Sequence, residues 1–252
     1  MPVMDRVEAA PNAVLERVTV LLDTFQGASS LTLSEITRRS GLARSSVHRL
    51  LEQLVALGWV TRNGTRYELG LRMLELGTLV LHHHTVRQVA APFLHDLHRA
   101  TGLAVHLGVL DGADTVYLDR VGSLGAGTLP SRIGGRMPAH ASAIGKALLA
   151  AANWRPNAEK MVALTPRTIT QPDVLMRQLH GIRQSQIAWE KEESVPGISC
   201  AAVAVRAQQS AVAALSVTGR SGAVTEKVTP YLRTTAQRIG QHLSDAGYVT
   251  AR

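Results

Sequence analysis

A cluster of polar side chains at residues 43–49 has the chemistry of a nucleic-acid contact. The candidate residues of this segment are Ala43, Arg44, Ser45, Ser46, His48 and Arg49. Guanidinium groups bind phosphate oxygens and guanine edges, and serine hydroxyls and backbone N–H groups bind phosphates. Ser34 before the cluster, and Arg62 and Arg66 after it, are candidates for the same surface. We therefore expect double-stranded DNA as a partner, provided that the local elements turn these side chains outward.

Two short helices separated by a glycine are the elements that would position this cluster. Apolar residues recur at helical spacing before, within and after the turn, at Leu33, Ile36, Leu42, Val47, Leu50, Leu51 and Leu54. Gly41 tolerates the positive φ of a tight turn, and Ser34 is predicted to cap the first helix. The pattern predicts a helix-turn-helix whose second helix enters a major groove. An αα-hairpin with a solvated polar face would give the same periodicity and is the alternative.

A predicted β-hairpin follows the two helices. Asn63 and Gly64 stand between two β-prone runs, at 59–62 and 65–69, which is a strong hairpin signal. A helix-turn-helix followed by a two-stranded hairpin is a winged helix. Arg62 and Arg66 flank the tip of the predicted wing, from which they can reach phosphates.

Composition bounds the class of protein. The chain has 252 residues, of which 45% are hydrophobic, enough for two domains with cores. The net charge is +8, and residues 31–72 hold seven arginines against three glutamates, although much of the excess lies beyond residue 72. No apolar run reaches the ~18 residues of a membrane helix, and the start has no signal-peptide core. A single cysteine excludes an internal disulfide framework. We expect a cytoplasmic protein.

The rest of the chain predicts one long helix and then an antiparallel sheet flanked by helices. Residues 71–84 read as a helix with a broad apolar face, able to pack on its own domain or on a second copy. Its three consecutive histidines, 82–84, point in different directions and are not expected to bind a metal. Strands are predicted at 103–110, 115–121, 187–190, 197–205 and 211–218, and helices at 86–100, 143–152, 174–186 and 224–246.

Two kinds of chemistry compete in the second half. Cys200 with His140 has the residue types of a thiol hydrolase or transferase, but Cys200 lies in an apolar strand without a neighbouring cation, and no catalytic motif is present. The other interpretation is a small-ligand site, in which Ser142, Glu190, Ser216 and Thr218 orient the ligand between walls formed by Ile198 and Cys200. The spacing 198/200 and 216/218 places these residues on one face of two strands. The alternative is that Ser216 and Thr218 simply lie on a face of the sheet that is exposed to solvent.

The whole chain resembles the IclR family of transcriptional regulators. The resemblance is carried by LSEI (33–36), SVHRLL (46–51), YELG (67–70), MPAHAS (137–142), GKALLA (145–150), TIT (168–170), VPGISCAA (195–202) and AALSVTG (213–219). It implies an α/β chain of the α+β type, with a winged helix-turn-helix at 1–70, a linker helix at 71–90 and a GAF-like effector-binding and oligomerisation domain at 91–252. It also implies no enzymatic activity, cofactor or metal.

The resemblance further implies a partner and a site. Family members bind a palindromic operator as dimers or dimers of dimers and sense a small organic effector, often a carboxylic or aromatic acid. The family's ligand positions fall on Ala143, Ile144, Glu190, Ile198, Cys200, Ser216 and Thr218. The chain departs from the family at Ala143 and Ile144, where small residues including glycine are common. The bulk of Ile144 is expected to narrow the pocket or to shift the ligand.

Overall fold

The structure, a computed structural model, describes residues 13–123, 131–152, 154 and 161–248. The chain divides into two units, Met1–His82 and His83–Arg252. The sequence also predicts a tail at 1–11 and a glycine-rich segment at 122–135, and the tail and the centre of that segment lie outside the described residues. The finer division at residues 70 and 90 stays a prediction. In the described part of the chain, no helix has both the length and the apolar character of a membrane span.

The N-terminal unit contains the predicted helix-turn-helix and wing. Its elements are α1 (Val14–Asp23), β1 (Leu31–Thr32), α2 (Leu33–Ser40), α3 (Arg44–Ala56), β2 (Val60–Asn63) and β3 (Arg66–Leu69). Its core comprises Leu21, Phe25, Leu31, Ile36, Val47, Leu50, Leu51, Leu54, Val60 and Tyr67. The prediction missed β1, which pairs with β3 through Leu31 and Tyr67 and widens the hairpin to three strands. Two residues are too short a strand to show an alternating pattern.

The start of α2 corrects one prediction. Thr32, not Ser34, is the N-cap: the Thr32 hydroxyl accepts a hydrogen bond from the Glu35 amide at 3.3 Å, and the Glu35 carboxylate accepts one from the Thr32 amide at 2.7 Å. This reciprocal pair is a capping box. Ser34 is already inside the helix and is exposed. The helix ends as predicted at Gly41, whose φ is +67°.

A pair of helices joins the two units in sequence. They are α4 (Leu71–His83) and α5 (Thr85–Thr101), with a break at His84, one residue before the gap between the predicted helices 71–84 and 86–100. No residue of α4 is buried. Its exposed apolar side chains are Leu71, Leu74, Leu76, Leu79 and Val80.

The second unit is built on an antiparallel sheet, as predicted, but the sheet has six strands rather than the predicted five. Its strands are β4 (Ala104–Asp111), β5 (Asp114–Val121), β6 (Arg136–Pro138), β7 (Ala188–Lys191), β8 (Ile198–Ala207) and β9 (Ser210–Arg220), in the order β6-β5-β4-β9-β8-β7. The helices are α6 (Ala143–Ala151), α7 (Pro172–Ser185) and α8 (Thr229–Asp245). The prediction missed β6. It also began the last helix at 224, where the structure has a 3₁₀ turn, Glu226–Val228, before α8.

The two faces of this sheet have different cores because successive side chains of a strand alternate. Odd-numbered residues of β8 and β9, such as Val203 and Leu215, pack with α5 and α8 on what we call the α5 face. Even-numbered residues, such as Ala202 and Ala214, pack with α6 and α7 on the α6 face. The predicted ligand residues of these two strands are all even-numbered, so they lie on the α6 face.

Candidate nucleic-acid interface and ligand site

The polar start of α3 faces outward. Arg44, Ser45, His48 and Arg49 are exposed, as is Ala43, and Ser46 is half-buried. The opposite side of the same helix is buried in the core through Val47, Leu50, Leu51 and Leu54. The amphipathic spacing of the sequence thus holds the helix to its unit by its leucines and leaves its arginines accessible.

The start of α3 also has free backbone donors. Ala43 occupies the N-cap position and its side chain makes no capping hydrogen bond. The first N–H groups of a helix without a side-chain cap can bind a phosphate oxygen, which the positive end of the helix dipole favours. Next to this end, Arg44 Nη1 donates to Ser34 Oγ at 3.0 Å, so the predicted residues of α2 and α3 meet at one edge.

The two arginines of the wing are exposed but partly anchored. The Arg62 guanidinium lies 5.6 Å from the centre of the Tyr67 ring, and Arg62 Nε donates to the Gly64 carbonyl at 2.9 Å. Arg66 Nε donates to Ser30 Oγ at 2.7 Å, and its guanidinium is 4.0 Å from the Glu35 carboxylate. Ser30 is a partner that the sequence reasoning missed. These contacts anchor the two arginine side chains, while the tip of the wing, Gly64 and Thr65, stays exposed.

The predicted ligand residues of the sheet come together on the α6 face. In the strand register, Glu190 of β7 pairs with Cys200 of β8, and Cys200 pairs with Thr218 of β9. Ser216 pairs with Ala202 on one side and with His106 of β4 on the other. Paired residues of antiparallel strands project to the same side. Ile198 lies at the end of the same face, two residues from Cys200, and is buried.

A hydrogen-bonded row crosses this face. Cys200 Sγ lies 3.2 Å from Thr218 Oγ1, which lies 3.3 Å from His106 Nδ1. His106 Nε2 in turn lies 2.8 Å from Ser131 Oγ. Arg120 Nη1 donates to the Ser131 carbonyl at 2.8 Å. His106, Ser131 and Arg120 were not predicted, because the pairing of β4 with β9 that brings them here cannot be read from the spacing within one strand.

Burial sets the protonation of the row. Burial lowers the pKa of His106 from 6.5 to about 4, and the neighbouring Arg120 adds to the shift, so the imidazole is neutral near pH 7. Burial also raises the pKa of the Cys200 thiol well above its usual range, with Glu190 adding to the effect. The site therefore presents uncharged hydrogen-bonding groups at these two positions.

Glu190 is enclosed at the far end of the row. One carboxylate oxygen, Oε1, accepts hydrogen bonds from the amides of Glu193 and Ser194, the second at 3.0 Å. The other oxygen, Oε2, is buried and has no hydrogen-bond partner. Burial raises the pKa of Glu190. The nearby buried Lys146 ammonium is bound to Glu193 Oε1 at 2.5 Å rather than to Glu190.

The remaining predicted ligand residues form the start of α6 above the sheet. Ser142 is the N-cap, and its hydroxyl accepts a hydrogen bond from the Gly145 amide at 3.0 Å. Ala143 and Ile144 are buried in the cluster that holds Ala202 and Ala214 of the α6 face. Gly145 is required here, because a Cβ at this position would lie 2.2 Å from the Ala139 carbonyl oxygen. Ser142, Ala143 and Ile144 thus lie on α6 and its N-cap, which pack on the face of the sheet that carries the other five predicted ligand residues.

The enzymatic alternative has little support in this geometry. His140 Nε2 bonds to the Val162 carbonyl at 3.0 Å, and the Cys200 thiol bonds to Thr218, so they make no hydrogen bond to each other. A thiol whose pKa is raised is a poor source of the nucleophilic thiolate. Within the described ranges, no three histidine, cysteine or acidic side chains are grouped as metal ligands would be.

Comparisons with known proteins identify the two units. Residues 14–64 match the IclR helix-turn-helix domain, and residues 78–245 match the C-terminal domain of bacterial IclR transcriptional regulators. The HTH-type transcriptional regulator XynR of Escherichia coli K12 is 35% identical over 93% of this chain and 97% of its own length. The glycerol operon regulatory protein of Streptomyces coelicolor is 30% identical over 91% and 95%.

A solved structure agrees with the fold. An IclR homologue from Microbacterium hydrocarbonoxydans, crystallised in complex with 4-hydroxybenzoate, superimposes with a TM-score of 0.79 at 29% identity, covering 92% of this chain and all of that one. The relatives are regulators rather than enzymes. With its exposed helix-turn-helix and its sheet domain, the chain belongs to the IclR family of DNA-binding transcriptional regulators.

Proposed function

We propose that this regulator binds a palindromic operator through α3 and the wing, and that a small organic acid bound at the α6 face changes that binding. The observation that carries the proposal is the amphipathic α3, exposed at Arg44 and Arg49 and buried at Val47 and Leu50. A helix presented in this way can lie in a major groove, with its first turns against base edges and phosphates. Such a role belongs to the cytoplasm, where the operator is.

Self-association completes the DNA-binding unit. A palindrome is read by two copies whose two-fold axis coincides with that of the DNA. The apolar side chains along α4 are exposed, and burying them against a second copy would remove a large apolar surface from water. We therefore propose a dimer, or a dimer of dimers, as the operator-bound form.

The acid is proposed to bind between the start of α6 and the sheet. The N–H groups of Ala143 and Ile144 stand at the positive end of the α6 dipole, which favours a carboxylate. Glu190, Cys200, Ser216 and Thr218 lie on the sheet opposite. The 4-hydroxybenzoate in complex with the Microbacterium homologue supports an aromatic acid as one candidate. Effector binding changes operator affinity only if the acid prefers one of two arrangements of the protein.

Operator binding tests the first half of the proposal. The probe is the DNA upstream of the regulator's own gene, labelled and titrated by fluorescence anisotropy. Arg44→Ala and Arg49→Ala should each weaken binding by about 5- to 150-fold, because each removes a phosphate or base contact. Arg177→Ala, an exposed arginine of α7 in the other unit, is the matched control. Unchanged affinity in both α3 variants at moderate salt would contradict the assignment.

The effector site is tested on the same DNA. A thermal-shift screen of small carboxylic and aromatic acids identifies those that stabilise the protein, because a ligand that binds only the folded state raises the melting temperature. Ser216→Ala combined with Thr218→Val should reduce both the thermal shift and the effect of the acid on DNA binding, and leave DNA affinity without acid unchanged. A normal response in this double variant would move the site elsewhere.

A further inference from the structure

Arg66 of the wing is bonded to the segment that precedes α2. In the backbone, β3 and β1 pair at two positions, one of which joins Arg66 to Thr32. The Arg66 side chain adds two hydrogen bonds to this short pairing: its Nε donates to Ser30 Oγ at 2.7 Å, and its Nη2 donates to the Ser30 carbonyl at 2.9 Å. Two bonds from neighbouring donors of a planar guanidinium to one residue fix the orientation of the group.

Glu35 brings the same arginine to the cap of α2. Arg66 Nη2 lies 4.0 Å from Glu35 Oε2. That carboxylate oxygen also accepts hydrogen bonds from the Thr32 amide at 2.7 Å and from the Thr32 hydroxyl at 2.9 Å. In the same turn of α2, Ser34 Oγ accepts a hydrogen bond from Arg44 of α3 at 3.0 Å. The first turn of α2 and its cap therefore bond both to the wing and to the start of α3.

The bonds to Ser30 leave little of the Arg66 guanidinium for DNA. A guanidinium has five N–H donors, and it binds a phosphate or a guanine edge most strongly through two neighbouring donors. In Arg66, the pair Nε and Nη2 is already bound to Ser30. The remaining pair, Nη1 with Nη2, lies beside the Glu35 carboxylate, whose negative charge opposes a phosphate there. Arg62 differs, because its hydrogen bond to the Gly64 carbonyl engages Nε alone.

We propose that Arg66 is a positioning residue, which holds the wing against the first turn of α2 so that other residues of the wing and of α3 contact the operator together. The inference rests on the proposed function, since it concerns the operator-binding surface. It replaces the direct phosphate contact that the sequence suggests for Arg66. Ser30 and Glu35 are the partners through which Arg66 acts. A wing that is held in place before binding loses less conformational freedom when the DNA binds.

An exchange of arginine for lysine separates positioning from contact. Lysine keeps the positive charge and still binds a phosphate, but its single ammonium does not reproduce the two fixed bonds to Ser30. Arg66→Lys should therefore weaken operator binding by about three- to tenfold, close to the loss in Arg66→Ala. Affinity is measured by fluorescence anisotropy on the DNA upstream of the regulator's own gene, with folding checked by circular dichroism. Arg38→Lys, at an exposed arginine of α2, is the control and should bind like the wild type.

A direct contact and a purely structural role give different results. If Arg66 only contacted a phosphate, Arg66→Lys would bind within about twofold of the wild type, because the charge is kept. If Arg66 only stabilised the fold, urea unfolding would show a loss of stability while the folded variant kept its affinity for DNA. Either result would overturn the inference.

Ser30→Ala tests the partner of Arg66. This substitution removes the hydroxyl that accepts from Arg66 Nε, and it should weaken operator binding by about two- to fivefold. In the Arg66→Ala background the same substitution should have little further effect, because both changes remove one interaction. Losses that simply multiply would mean that the two residues act independently, which contradicts the inference.

A measurement without DNA distinguishes the failure of this inference from the failure of the proposed function. Amide hydrogen exchange of residues 60–69 reports whether the wing is held, and it should be about threefold or more faster in Arg66→Lys than in the wild type. If the wild type binds no DNA, the proposed function is wrong, and the exchange alone decides whether Arg66 holds the wing. If the wild type binds DNA, unchanged exchange in Arg66→Lys overturns the inference and leaves the proposed function in place.

Discussion

His106 is a residue whose titration should be visible in the stability of the protein. It is 2% exposed, and burial lowers its pKa from 6.5 to about 4. Because the pKa of His106 is lower in the folded protein, the unfolded chain binds the proton first as the pH falls. The contribution of neutral His106 to the free energy of unfolding is therefore complete above pH 6.5 and is lost as the pH falls towards 4. Between pH 7 and pH 4.5, the free energy of unfolding of His106→Gln should therefore fall by about 2–3 kcal/mol less than that of the wild type. Urea unfolding at a series of pH values measures this difference.

The control for this experiment is His95→Gln, which removes an exposed histidine of α5. His106→Gln is expected to be less stable than wild type at pH 7, because it disrupts the bonds to Thr218 and Ser131. The slope with pH, rather than the stability at one pH, is therefore the diagnostic quantity. Parallel profiles for His106→Gln and wild type would show that folding does not lower the pKa of His106.

Lys146 is a second buried group with a measurable role. Its side chain is fully buried, and its ammonium is 2.5 Å from a carboxylate oxygen of Glu193, which is itself nearly enclosed. Removing one partner of such a pair leaves a buried charge uncompensated, so Lys146→Met should destabilise the protein by about 3–5 kcal/mol. Adding Glu193→Gln should restore part of that loss in urea unfolding. A double variant no more stable than the single variant would mean that the two charges are not coupled.

The residues of the predicted ligand site divide into those that sequence reasoning can find and those that it cannot. Ile198, Cys200, Ser216 and Thr218 follow from alternation within single strands, and the structure places them on one face. His106 reaches that face only through the pairing of β4 with β9. Such a pairing joins residues distant in the chain, which no local pattern encodes.

At the scale of elements, the N-cap of α2 gives the clearest test of the structure. Thr32 and Glu35 form its capping box, whereas Ser34, the predicted cap, is exposed within the helix. Thr32→Ala should destabilise the N-terminal unit by about 1 kcal/mol, the usual value for a lost N-cap. Ser34→Ala should change stability by less than about 0.5 kcal/mol, because it alters an exposed side chain. Urea unfolding followed by circular dichroism compares them, and equal losses would contradict the assignment.

Elements differed in how well the sequence predicted them. Helices α3 and α7 and strands β8 and β9 were found to within two or three residues, because each carries several periods of its apolar pattern. The two- and three-residue strands β1 and β6 were missed, since they are defined only by their partners. The capping box of Thr32 and Glu35 can be read from the sequence, because a threonine followed three residues later by a glutamate is its pattern. The prediction of Ser34 as the N-cap is wrong, because Ser34 lies inside the helix.

At the scale of the whole molecule, the proposed operator binding would depend on both charge and exposed apolar surface. The net charge is +8, and the arginines of α3 and the wing add positive charge to the proposed DNA-binding surface. Phosphate contacts of this kind are sequence-independent and weaken with salt. In the proposed dimer, the alignment of two such surfaces on a palindrome would instead depend on how the two copies join, and α4 offers an exposed apolar surface for that contact.

The proposed self-association through α4 leads to the last prediction. Leu74 and Leu79 are 62% and 53% exposed, and each would contribute about 1.5–3 kcal/mol if fully buried between two copies. Leu74→Glu or Leu79→Glu should therefore raise the dimer dissociation constant at least about tenfold in sedimentation velocity. Operator affinity should fall in parallel at protein concentrations near that constant, because a monomer reads only one half-site. Gln237→Glu, which adds the same charge to α8, should leave both unchanged, and an undisturbed dimer in both leucine variants would place the contact between copies on another surface.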